Sequence, residues 1–356
     1  MSLLLGRPAR VRPFFGYRNE TSLVLDARAL RMREPSWERR TTLAKMAALF
    51  RQFASDEVPE LAVSLEVRID GRAPLTRTCR SNREGYLRFE LDFDPPWPLP
   101  AEPAWETVKL SWISRDGPQS VEGYVLAPGR DGRLAVISDI DDTIVETGAG
   151  DLARNWRRVA AQMPGERVAV PGAVAFYSAL GGGHVGDTTP ATRRPFFYVS
   201  SSPWNLFDYL VAFKKAQGLP QGPLMLRDWG LDRATFGHDS HRVHKTAAIG
   251  SLAAFYPGLR FALIGDNTQA DALAFAEAVA AHPDRIAAVF LRRAPDAGIE
   301  PPEQAALDAI AAAGVAVWSG ESWDVGADFL ATLGFTPHGE TAQIVEAIDQ
   351  AKQTPL

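Results

Sequence analysis

Three aspartates stand within four residues at the end of a short apolar run. Leu134 to Ser138 reads LAVIS, and Asp139, Asp141 and Asp142 follow it. Carboxylates this close repel one another, so they stay ionised together only beside a cation or several hydrogen-bond donors. Asp139 and Asp141 are two residues apart, which places their side chains on one side of an extended backbone. The pattern therefore indicates a cation site or a densely hydrogen-bonded turn.

Two readings of this loop are structural rather than catalytic. A calcium loop of the EF-hand kind needs Gly at its sixth position and Glu at its twelfth, where this chain has Ile144 and Gly150. A solvated acidic turn stays open as an alternative. The third reading is phosphoryl transfer, because D-x-D-x-T after a buried strand, here Asp139, Asp141 and Thr143, resembles the signature of the haloacid dehalogenase superfamily of phosphatases.

The resemblance implies three further elements, and each has a candidate downstream in the expected order. Ser200 ends the apolar run FFYV and would bind the phosphoryl group. Lys245 would neutralise its oxygens. Asp266, after Gly265, would complete a metal site, and Asp271 would hold a metal-bound water or orient Lys245.

Residues around these candidates have more ordinary interpretations as well. Ser202 is interpreted as a helix N-cap, whereas Ser201 is assigned to substrate binding. Lys245 is expected at a helix start, where the helix dipole disfavours a cation, so that its position indicates a nearby anion. Arg227 is expected to contact the substrate.

Histidines recur at intervals of three residues, in a pattern that could suggest zinc. The absence of Cys or Glu ligands nearby argues against that metal. We expect instead a basic rim for an anionic substrate, formed by His238, His241, His244, Arg227 and Arg242.

A closer resemblance covers about residues 133–295. The segments ISDIDDTI, YVSSSPWNL, GPLMLRDWG, HK and LIGDNTQAD resemble the actin-patch-type phosphatidate phosphatase family, which is distantly similar to the lipin phosphatases. The chain departs from the family at Asn267–Thr268, where a Ser-Gly pair is expected. The resemblance implies Mg²⁺-dependent removal of phosphate from phosphatidic acid, giving diacylglycerol.

The resemblance also implies a mechanism. Asp139 would attack phosphorus and form an aspartyl-phosphate, and Asp141 would act as general acid and base. Thr143 would fix the loop. Mg²⁺ would be held by Asp139, the Asp141 carbonyl and Asp266, with Asp271 nearby. Asp142 has no assigned role.

The second part of the chain, residues 131–356, is predicted to be α/β. Its apolar runs predict parallel strands, and helical segments are expected between them. The strands are expected at Leu134–Ser138, Phe196–Ser200, Leu224–Arg227, Phe261–Gly265, Ala287–Leu291 and Val315–Ser319. The helices are expected at Gly172–Leu180, Trp204–Gln217, Lys245–Phe255, Gln269–Ala281 and Thr341–Lys352.

With the resemblance, this part is expected to be a Rossmann-like parallel sheet of the haloacid dehalogenase type. The stretch between Ile144 and Gly172 is short enough to leave only a minimal cap, and the Gly-rich segment Gly181–Arg194 is either a mobile loop over the substrate or an ordinary surface loop.

The first part, residues 1–130, is predicted to be a small β-sandwich. Alternating segments indicate strands, and Thr41–Phe53 reads as a helix. Pro95–Pro103 is expected to be a surface loop. The strands are expected at Thr21–Leu30, Leu61–Ile69, Gly85–Phe93, Thr107–Ser114 and Ser120–Leu126.

Composition excludes several classes of protein. The 356 residues, 46% hydrophobic and 23% charged, are typical of a globular chain of about two domains. No apolar run approaches the length of a membrane span, and Met1–Gly6 is too short for a secretion signal. The net charge of −5 argues against nucleic acid as a partner. The single cysteine, Cys79, indicates a reducing compartment, so a cytoplasmic protein is expected.

Two alternatives to a phosphatidate phosphatase remain open. One is a phosphatase of another phosphomonoester, which nothing in the sequence excludes. The other is a module that binds phosphatidate without turnover, against which the presence of Asp141 argues. Peripheral contact with a membrane would suit a lipid substrate, and Trp97, Trp204 and Trp229 are candidates either for that interface or for the core.

Overall fold

Two compact units make up the described part of the chain. The computed structural model describes residues 8–31, 56–141, 143–144, 169–182, 184–185, 191–227, 238–267, 270–294 and 298–323. The units divide between Arg130 and Asp131. The predicted helices Thr41–Phe53 and Thr341–Lys352 lie outside the described residues, as does most of the predicted cap between Ile144 and Gly172.

The first unit is a nine-stranded sheet in which β2 and β9 run parallel and the remaining pairs antiparallel. Its strands are β1 (Arg10–Pro13), β2 (Gly16–Arg18), β3 (Ser22–Arg31), β4 (Asp56–Glu57), β5 (Ala62–Val67), β6 (Leu75–Arg80), β7 (Tyr86–Asp92), β8 (Ala104–Ser114) and β9 (Gly117–Ala127). The order is β1-β3-β2-β9-β8-β5-β6, with β4 and β7 also paired to β3.

Alternation of apolar and polar residues explains why these segments form half-buried strands. In β5, Val63, Leu65 and Val67 are fully buried, whereas the residues between them are only partly covered. Side chains from β3, β5, β7, β8 and β9 join them in one hydrophobic core. The five strands expected in this unit are all present, with ends shifted by no more than three residues.

Four strands of this unit were not predicted. β1, β2 and β4 have only two to four residues each, too few to show a period. β6 lies at the end of the strand order and is mostly exposed, with only Leu75 and Cys79 half-buried. Its alternating threonines were the available signal, because Thr78 pairs with Ser64 across the strands through a hydroxyl–hydroxyl hydrogen bond of 2.7 Å.

The Pro-rich loop Pro95–Pro103 is fastened to the unit by a buried arginine. Arg18 is fully buried; its guanidinium binds both carboxylate oxygens of Glu106 at 2.5 Å and donates to the carbonyls of Trp97 and Pro98. The Trp97 ring lies 3.7 Å beneath the same guanidinium and packs on Phe93. Trp97 therefore belongs to the core of this unit, the second of its two expected roles.

The second unit contains a six-stranded, fully parallel sheet, which confirms the predicted α/β class. Its strands are β10 (Leu134–Ser138), β13 (Phe196–Pro203), β14 (Leu224–Arg227), β15 (Arg260–Asp266), β16 (Ile286–Arg292) and β17 (Ala316–Gly320). A separate two-stranded antiparallel ribbon, β11 (His184–Val185) and β12 (Ala191–Thr192), lies within the Gly-rich segment 181–194.

Five helices accompany the parallel sheet in the described part of this unit. They are α1 (Ala173–Gly181), α2 (Phe207–Ala216), α3 (His238–Phe255), α4 (Asp271–Ala281) and α5 (Pro301–Ala312), with a 3₁₀ turn at Trp204–Leu206. α5 was not predicted, although its sequence signals were present. Pro301 stands in the first turn, and a capping box spans the same turn: the Glu300 carboxylate accepts the backbone N–H of Glu303, and the Glu303 carboxylate accepts the backbone N–H of Glu300.

The strand order β14-β13-β10-β15-β16-β17 reverses direction at β10. In open parallel sheets, ligands bind beyond the carboxyl ends of the strands at such a reversal. Ser138, the last residue of β10, is level with Tyr198 on β13 and Ile264 on β15. The residues that directly follow these positions therefore emerge at one edge of the sheet. No helix in the described ranges is both long enough and apolar enough to cross a membrane.

Two lysines are buried among the described residues of this unit, and one of them lies on α2. Lys214, on α2, is fully buried, and its ammonium lies 3.7 Å from the centre of the Tyr198 ring. Within the described ranges its Nζ has no hydrogen-bond partner. Burial lowers the pKa of Lys214 well below 10.5. The unfolded chain therefore binds this proton more tightly than the folded chain does, which weakens folding at neutral pH.

We expect Lys214→Met to raise the free energy of unfolding by about 1–3 kcal/mol at pH 7, because an unsatisfied buried group is removed. The gain should shrink as the pH rises toward 10.5, where the unfolded chain also loses the proton. Urea unfolding midpoints at pH 7 and pH 10 measure this, with Lys215→Met at the neighbouring exposed position as control. Equal midpoints for wild type and Lys214→Met at pH 7 would contradict it.

Candidate active site

Three buried carboxylates meet at the edge of the sheet where the strand order reverses. Asp139 directly follows β10, Asp266 ends β15, and Asp271 begins α4. One oxygen from each lies within 4.8 Å of the others. All three residues are at most 3% exposed. The backbone N–H of Asp139 donates to the Ile264 carbonyl at 2.8 Å, so the β10–β15 ladder continues into the site and holds Asp139 beside Asp266.

Lys245 supplies the positive charge of this cluster. Its Nζ lies 3.1 Å from Asp139 Oδ1 and donates a hydrogen bond to Asp271 Oδ1. The lysine is 1% exposed. The prediction that Lys245 stands at a helix start is wrong, because α3 begins at His238 and Lys245 lies two turns inside it. Its position is explained by the two carboxylates and not by the helix dipole.

Asp271 is held by its neighbours on both oxygens. Oδ1 accepts from Lys245, and Oδ2 accepts the backbone N–H of Asp266 at 3.0 Å. Asp271 is the first residue of α4, whereas the helix was predicted to begin at Gln269. A Cβ on Gly265 would stand 2.3 Å from Asp271 Oδ2, so only glycine allows this approach.

Thr143 joins two of the carboxylates. Its hydroxyl lies within hydrogen-bond distance of Asp139 Oδ2, at 3.3 Å, and of Asp266 Oδ2, at 3.1 Å. The side chain is fully buried. A hydroxyl has one hydrogen, so it serves one carboxylate at a time or is shared between them. We define residues 139–144 as the aspartate loop; residue 142 lies outside the described ranges. In either case the Thr143 hydroxyl orients this loop through the two carboxylates.

Asp141 turns toward the serines of β13. Ser200 Oγ donates to Asp141 Oδ2 at 2.7 Å, and Ser202 Oγ donates to the same oxygen at 3.1 Å. Residues two apart on a strand share a face, so both hydroxyls reach one carboxylate. The prediction that Ser202 caps a helix is wrong, since the 3₁₀ turn starts at Trp204 with no side-chain cap. The signal for its actual role was the Ser-x-Ser alternation.

Ser201 points to a different partner. Its Oγ lies 2.6 Å from His241 Nδ1 in a hydrogen bond, and His244 Nε2 lies 3.3 Å from the Met225 carbonyl. Two of the three recurring histidines thus connect α3 to the ends of β13 and β14. Nothing in the sequence indicated the Ser201–His241 contact, which joins positions 40 residues apart.

Three other residues were predicted to form the basic rim: Arg242, Arg227 and His238. Arg242 forms an ion pair with Glu277 on α4, and Thr246 Oγ1 donates to the same carboxylate at 2.9 Å. Glu277, which was not a candidate, thereby ties α3 to α4 near Lys245 and Asp271. Arg227 ends β14, and its side chain and that of His238 lie outside what the structure describes.

The electrostatics of the cluster are dominated by burial. Burial raises the pKa of Asp139 well above its usual range; Lys245 lowers it, and Asp271, Asp141 and Asp266 raise it further. The pKa of Asp271 is raised by burial and lowered in part by Lys245. For Lys245, burial lowers the pKa, but the charges of Asp139, Asp271 and Asp266 outweigh it and raise the pKa. One ammonium therefore does not balance the carboxylates.

The donor set fits a hard divalent cation. Mg²⁺ prefers carboxylate and carbonyl oxygens, and three buried carboxylates beside one lysine leave negative charge for it to neutralise. Among the described residues, Asp139, Asp266 and Asp271 form the group of side chains that could hold a metal ion. The side chain of Asp141 is directed to Ser200 and Ser202 instead, and its predicted contribution was the backbone carbonyl.

Comparison with known proteins shows which family part of the chain resembles. Residues 134–293 match the family profile described as "Phosphatidate phosphatase APP1, catalytic domain". The Phosphatidate phosphatase APP1 of Saccharomyces cerevisiae is 27% identical over 206 residues, which cover 58% of this chain and 31% of the yeast protein. The chain thus spans about a third of the length of that relative.

Similarity to solved structures is distant. A β-glucuronidase of Parabacteroides merdae aligns with 87% of this chain and 39% of its own, at 8% identity and a TM-score of 0.28. An exo-chitosanase of Amycolatopsis orientalis aligns with 88% and 32%, at 12% identity and a TM-score of 0.22. Values this low carry no argument about fold or activity. Through residues 134–293, the chain is similar to the catalytic domain of the APP1-type phosphatidate phosphatase family.

Proposed function

We propose that this protein is a Mg²⁺-dependent phosphatidate phosphatase, which hydrolyses phosphatidic acid to diacylglycerol and phosphate through an aspartyl-phosphate. The observation that carries the proposal is the buried group of Asp139, Asp266, Asp271 and Lys245 at the reversal point of the parallel sheet. It lies within the segment that matches the family. A cluster of this kind suits phosphoryl transfer, where catalysis rests mainly on positioning and charge stabilisation.

The proposal includes the finer fold. The fully parallel sheet with its reversal at β10 supports a Rossmann-like domain of the haloacid dehalogenase type in residues 131–356. The single core shared by β3, β5, β7, β8 and β9 supports a β-sandwich in residues 1–130. Neither assignment is needed for the chemistry, which depends on the contacts at the edge of the parallel sheet.

The first chemical step is assigned to Asp139. Its carboxylate oxygen forms a bond to phosphorus while the bond from phosphorus to the glycerol oxygen breaks. The carboxylate must be ionised to attack; Lys245 at 3.1 Å and the Thr143 hydroxyl favour that form against the effect of burial. When bound by Asp139, Asp266 and the Asp141 carbonyl, the metal ion would supply positive charge that offsets the charge of the phosphoryl oxygens.

Asp141 is assigned to proton transfer. It donates a proton to the departing diacylglycerol oxygen, then takes one from the water that cleaves the aspartyl-phosphate and releases phosphate. The hydroxyls of Ser200 and Ser202 orient its carboxylate and favour the ionised form that the second step needs. Ser200 donates to Asp141 in this arrangement, so its predicted phosphate contact requires its hydroxyl to rotate away. Asp271 orients Lys245 toward Asp139.

Because phosphatidic acid is a membrane lipid, the proposed substrate implies contact between the protein and a membrane. We propose a cytoplasmic protein in peripheral contact with membranes. Val243 is 59% exposed on α3, between Arg242 and His244 and two residues from Lys245. An exposed apolar side chain on this helix supports contact with a lipid surface. The unpaired Cys79 is in keeping with a reducing compartment.

The proposed activity predicts phosphate release from phosphatidate that EDTA abolishes and Mg²⁺ restores. Purified protein should be assayed on phosphatidate in mixed micelles, lysophosphatidate, diacylglycerol pyrophosphate and soluble phosphomonoesters. Phosphatidate should give the highest kcat/KM. Turnover confined to soluble esters would support a phosphatase of another substrate, and vesicle binding without turnover would support a lipid-binding module; each result overturns the proposal.

Asp139→Asn should lower kcat by at least about 10³-fold, because the amide cannot attack phosphorus. Folding should be retained, since the change removes one of several mutually repelling charges without altering volume. Circular dichroism and an unfolding midpoint check the fold, and the exposed Asp284→Asn provides the matched control. Wild-type turnover by a pure Asp139→Asn protein would be incompatible with the mechanism.

Gly265→Ala tests the contact between strand and helix. The added methyl group would stand 2.3 Å from Asp271 Oδ2 and would displace the carboxylate that orients Lys245. We expect kcat to fall by about 10- to 100-fold and stability to fall by about 1–3 kcal/mol. Gly258→Ala, where a Cβ would meet nothing within 4 Å, is the control. Unchanged kcat in Gly265→Ala would show that this approach is not required.

A further inference from the structure

A tryptophan from beyond the last parallel strand reaches the aspartate loop. Trp323 lies three residues after the end of β17 and is fully buried. Its indole N–H donates to the backbone carbonyl of Thr143 at 3.2 Å, across 180 residues of sequence. A buried indole N–H needs an acceptor, and a loop carbonyl needs a donor. The contact satisfies both groups at once.

Aromatic neighbours fix the orientation of the indole. The Trp323 ring stacks on Phe176 of α1 with centroids 4.8 Å apart and planes 10° from parallel. Trp318 of β17 stacks on it at 5.7 Å, and Tyr177 meets it edge-on at 6.2 Å. Rings packed in this way hold one rotamer. The N–H direction is therefore set before any substrate arrives.

The residue that accepts this hydrogen bond is the one that reaches two carboxylates. Thr143 presents its carbonyl to Trp323 and its hydroxyl to Asp139 Oδ2 and Asp266 Oδ2. A shift of the Thr143 backbone would carry the hydroxyl with it. The orientation of the Asp139 carboxylate thus depends on a donor that does not itself approach the reacting atoms.

The start of the aspartate loop is tied to the same aromatic cluster. Ser138 Oγ donates to the Asp139 carbonyl at 2.5 Å and lies 2.6 Å from Tyr177 Oη. Ser138 has one hydroxyl hydrogen, which it gives to Asp139, so Tyr177 is the donor in the second contact. Tyr177 in turn packs on Trp323. Both ends of the loop are thereby held by neighbouring aromatic side chains.

We propose that Trp323 is a positioning residue for the nucleophile, acting through the Thr143 carbonyl; this rests on the proposed phosphatase function. Trp323 and Trp318 both lie beyond the segment 134–293 that matches the family profile. A residue from outside that segment, Trp323, therefore donates a hydrogen bond to the aspartate loop. Trp323 neither contacts the phosphoryl group nor transfers a proton.

The test replaces the donor and keeps the stacked ring. In Trp323→Phe, kcat on phosphatidate should fall by about 10- to 100-fold, while KM changes less than about threefold, because the nucleophile is misplaced and the binding groups are not. Trp318→Phe, which alters the same stack without touching the loop, should keep wild-type kcat. Equal kcat values for the two variants would overturn the proposal.

A second replacement covers the case in which Trp323→Phe fails to fold. Introducing 3-benzothienylalanine at position 323 by suppression of a stop codon keeps the size and stacking of the indole and replaces only the N–H by sulfur. The same loss of kcat with an unchanged unfolding midpoint is expected. Wild-type kcat with this residue would show that the hydrogen bond does not position the nucleophile.

Hydrogen exchange separates failure of this inference from failure of the proposed function. The Ile144 N–H donates to the Ile140 carbonyl within the aspartate loop at 3.0 Å. Without the Trp323 donor, peptides covering residues 139–144 should exchange about tenfold faster than in Trp318→Phe. If wild type hydrolyses no phosphate ester but this difference is present, the proposed function fails and the structural link stands. Identical exchange overturns the inference whatever the activity.

Discussion

Mutual repulsion of buried carboxylates is the constraint on which this site depends. Asp139, Asp266 and Asp271 share a space shielded from water, where like charges are costly and where the ammonium of Lys245 faces two of them. Each neighbouring feature reduces that cost by supplying a donor: a threonine hydroxyl, a backbone N–H and the lysine itself. The charge that remains suits a divalent cation, which in the proposed reaction would also offset the negative charge of the phosphoryl group.

The order of the parallel strands, rather than contacts between individual side chains, brings the carboxylates together. Parallel strands end at one edge, and the reversal of order at β10 is the place where open parallel sheets bind their ligands. Successive side chains of β13 point to opposite faces of the strand, so Ser200 and Ser202 face Asp141 and Ser201 faces His241 on α3. Glu277 holds α3 against α4 through Arg242 and Thr246. The two helices that carry the lysine and the last carboxylate are thus aligned by contacts away from the chemistry.

Continuous apolar runs predicted the parallel strands well, because a strand covered on both faces has no polar positions to obscure it. The edge strand β6 was missed for the opposite reason, since exposed Thr and Arg give little contrast. At the site, the resemblance to the phosphatase family indicated the candidate residues. Asp139 and Asp266 lie close together because they stand at the ends of the neighbouring strands β10 and β15. The partner of Ser202 was not predictable, because it depends on the register of β13 against a loop 61 residues away. The helix start before Lys245 was misplaced, since His, Arg and Ser obscure the first two turns of α3.

The long reach of the Trp323 contact has a consequence for how the chain is made. A ribosome synthesises Asp139 first, Asp266 and Asp271 more than 120 residues later, and Trp323 later still. Domains fold as their residues leave the ribosome, so the emerging chain passes through a stage in which the carboxylates are made but the indole is not. Throughout that stage the aspartate loop has no donor for its Thr143 carbonyl. The aspartate loop therefore reaches its described geometry only after Trp323 has been synthesised, and a chain cut short at residue 320 would keep Asp139, Asp266 and Asp271 and lack the indole.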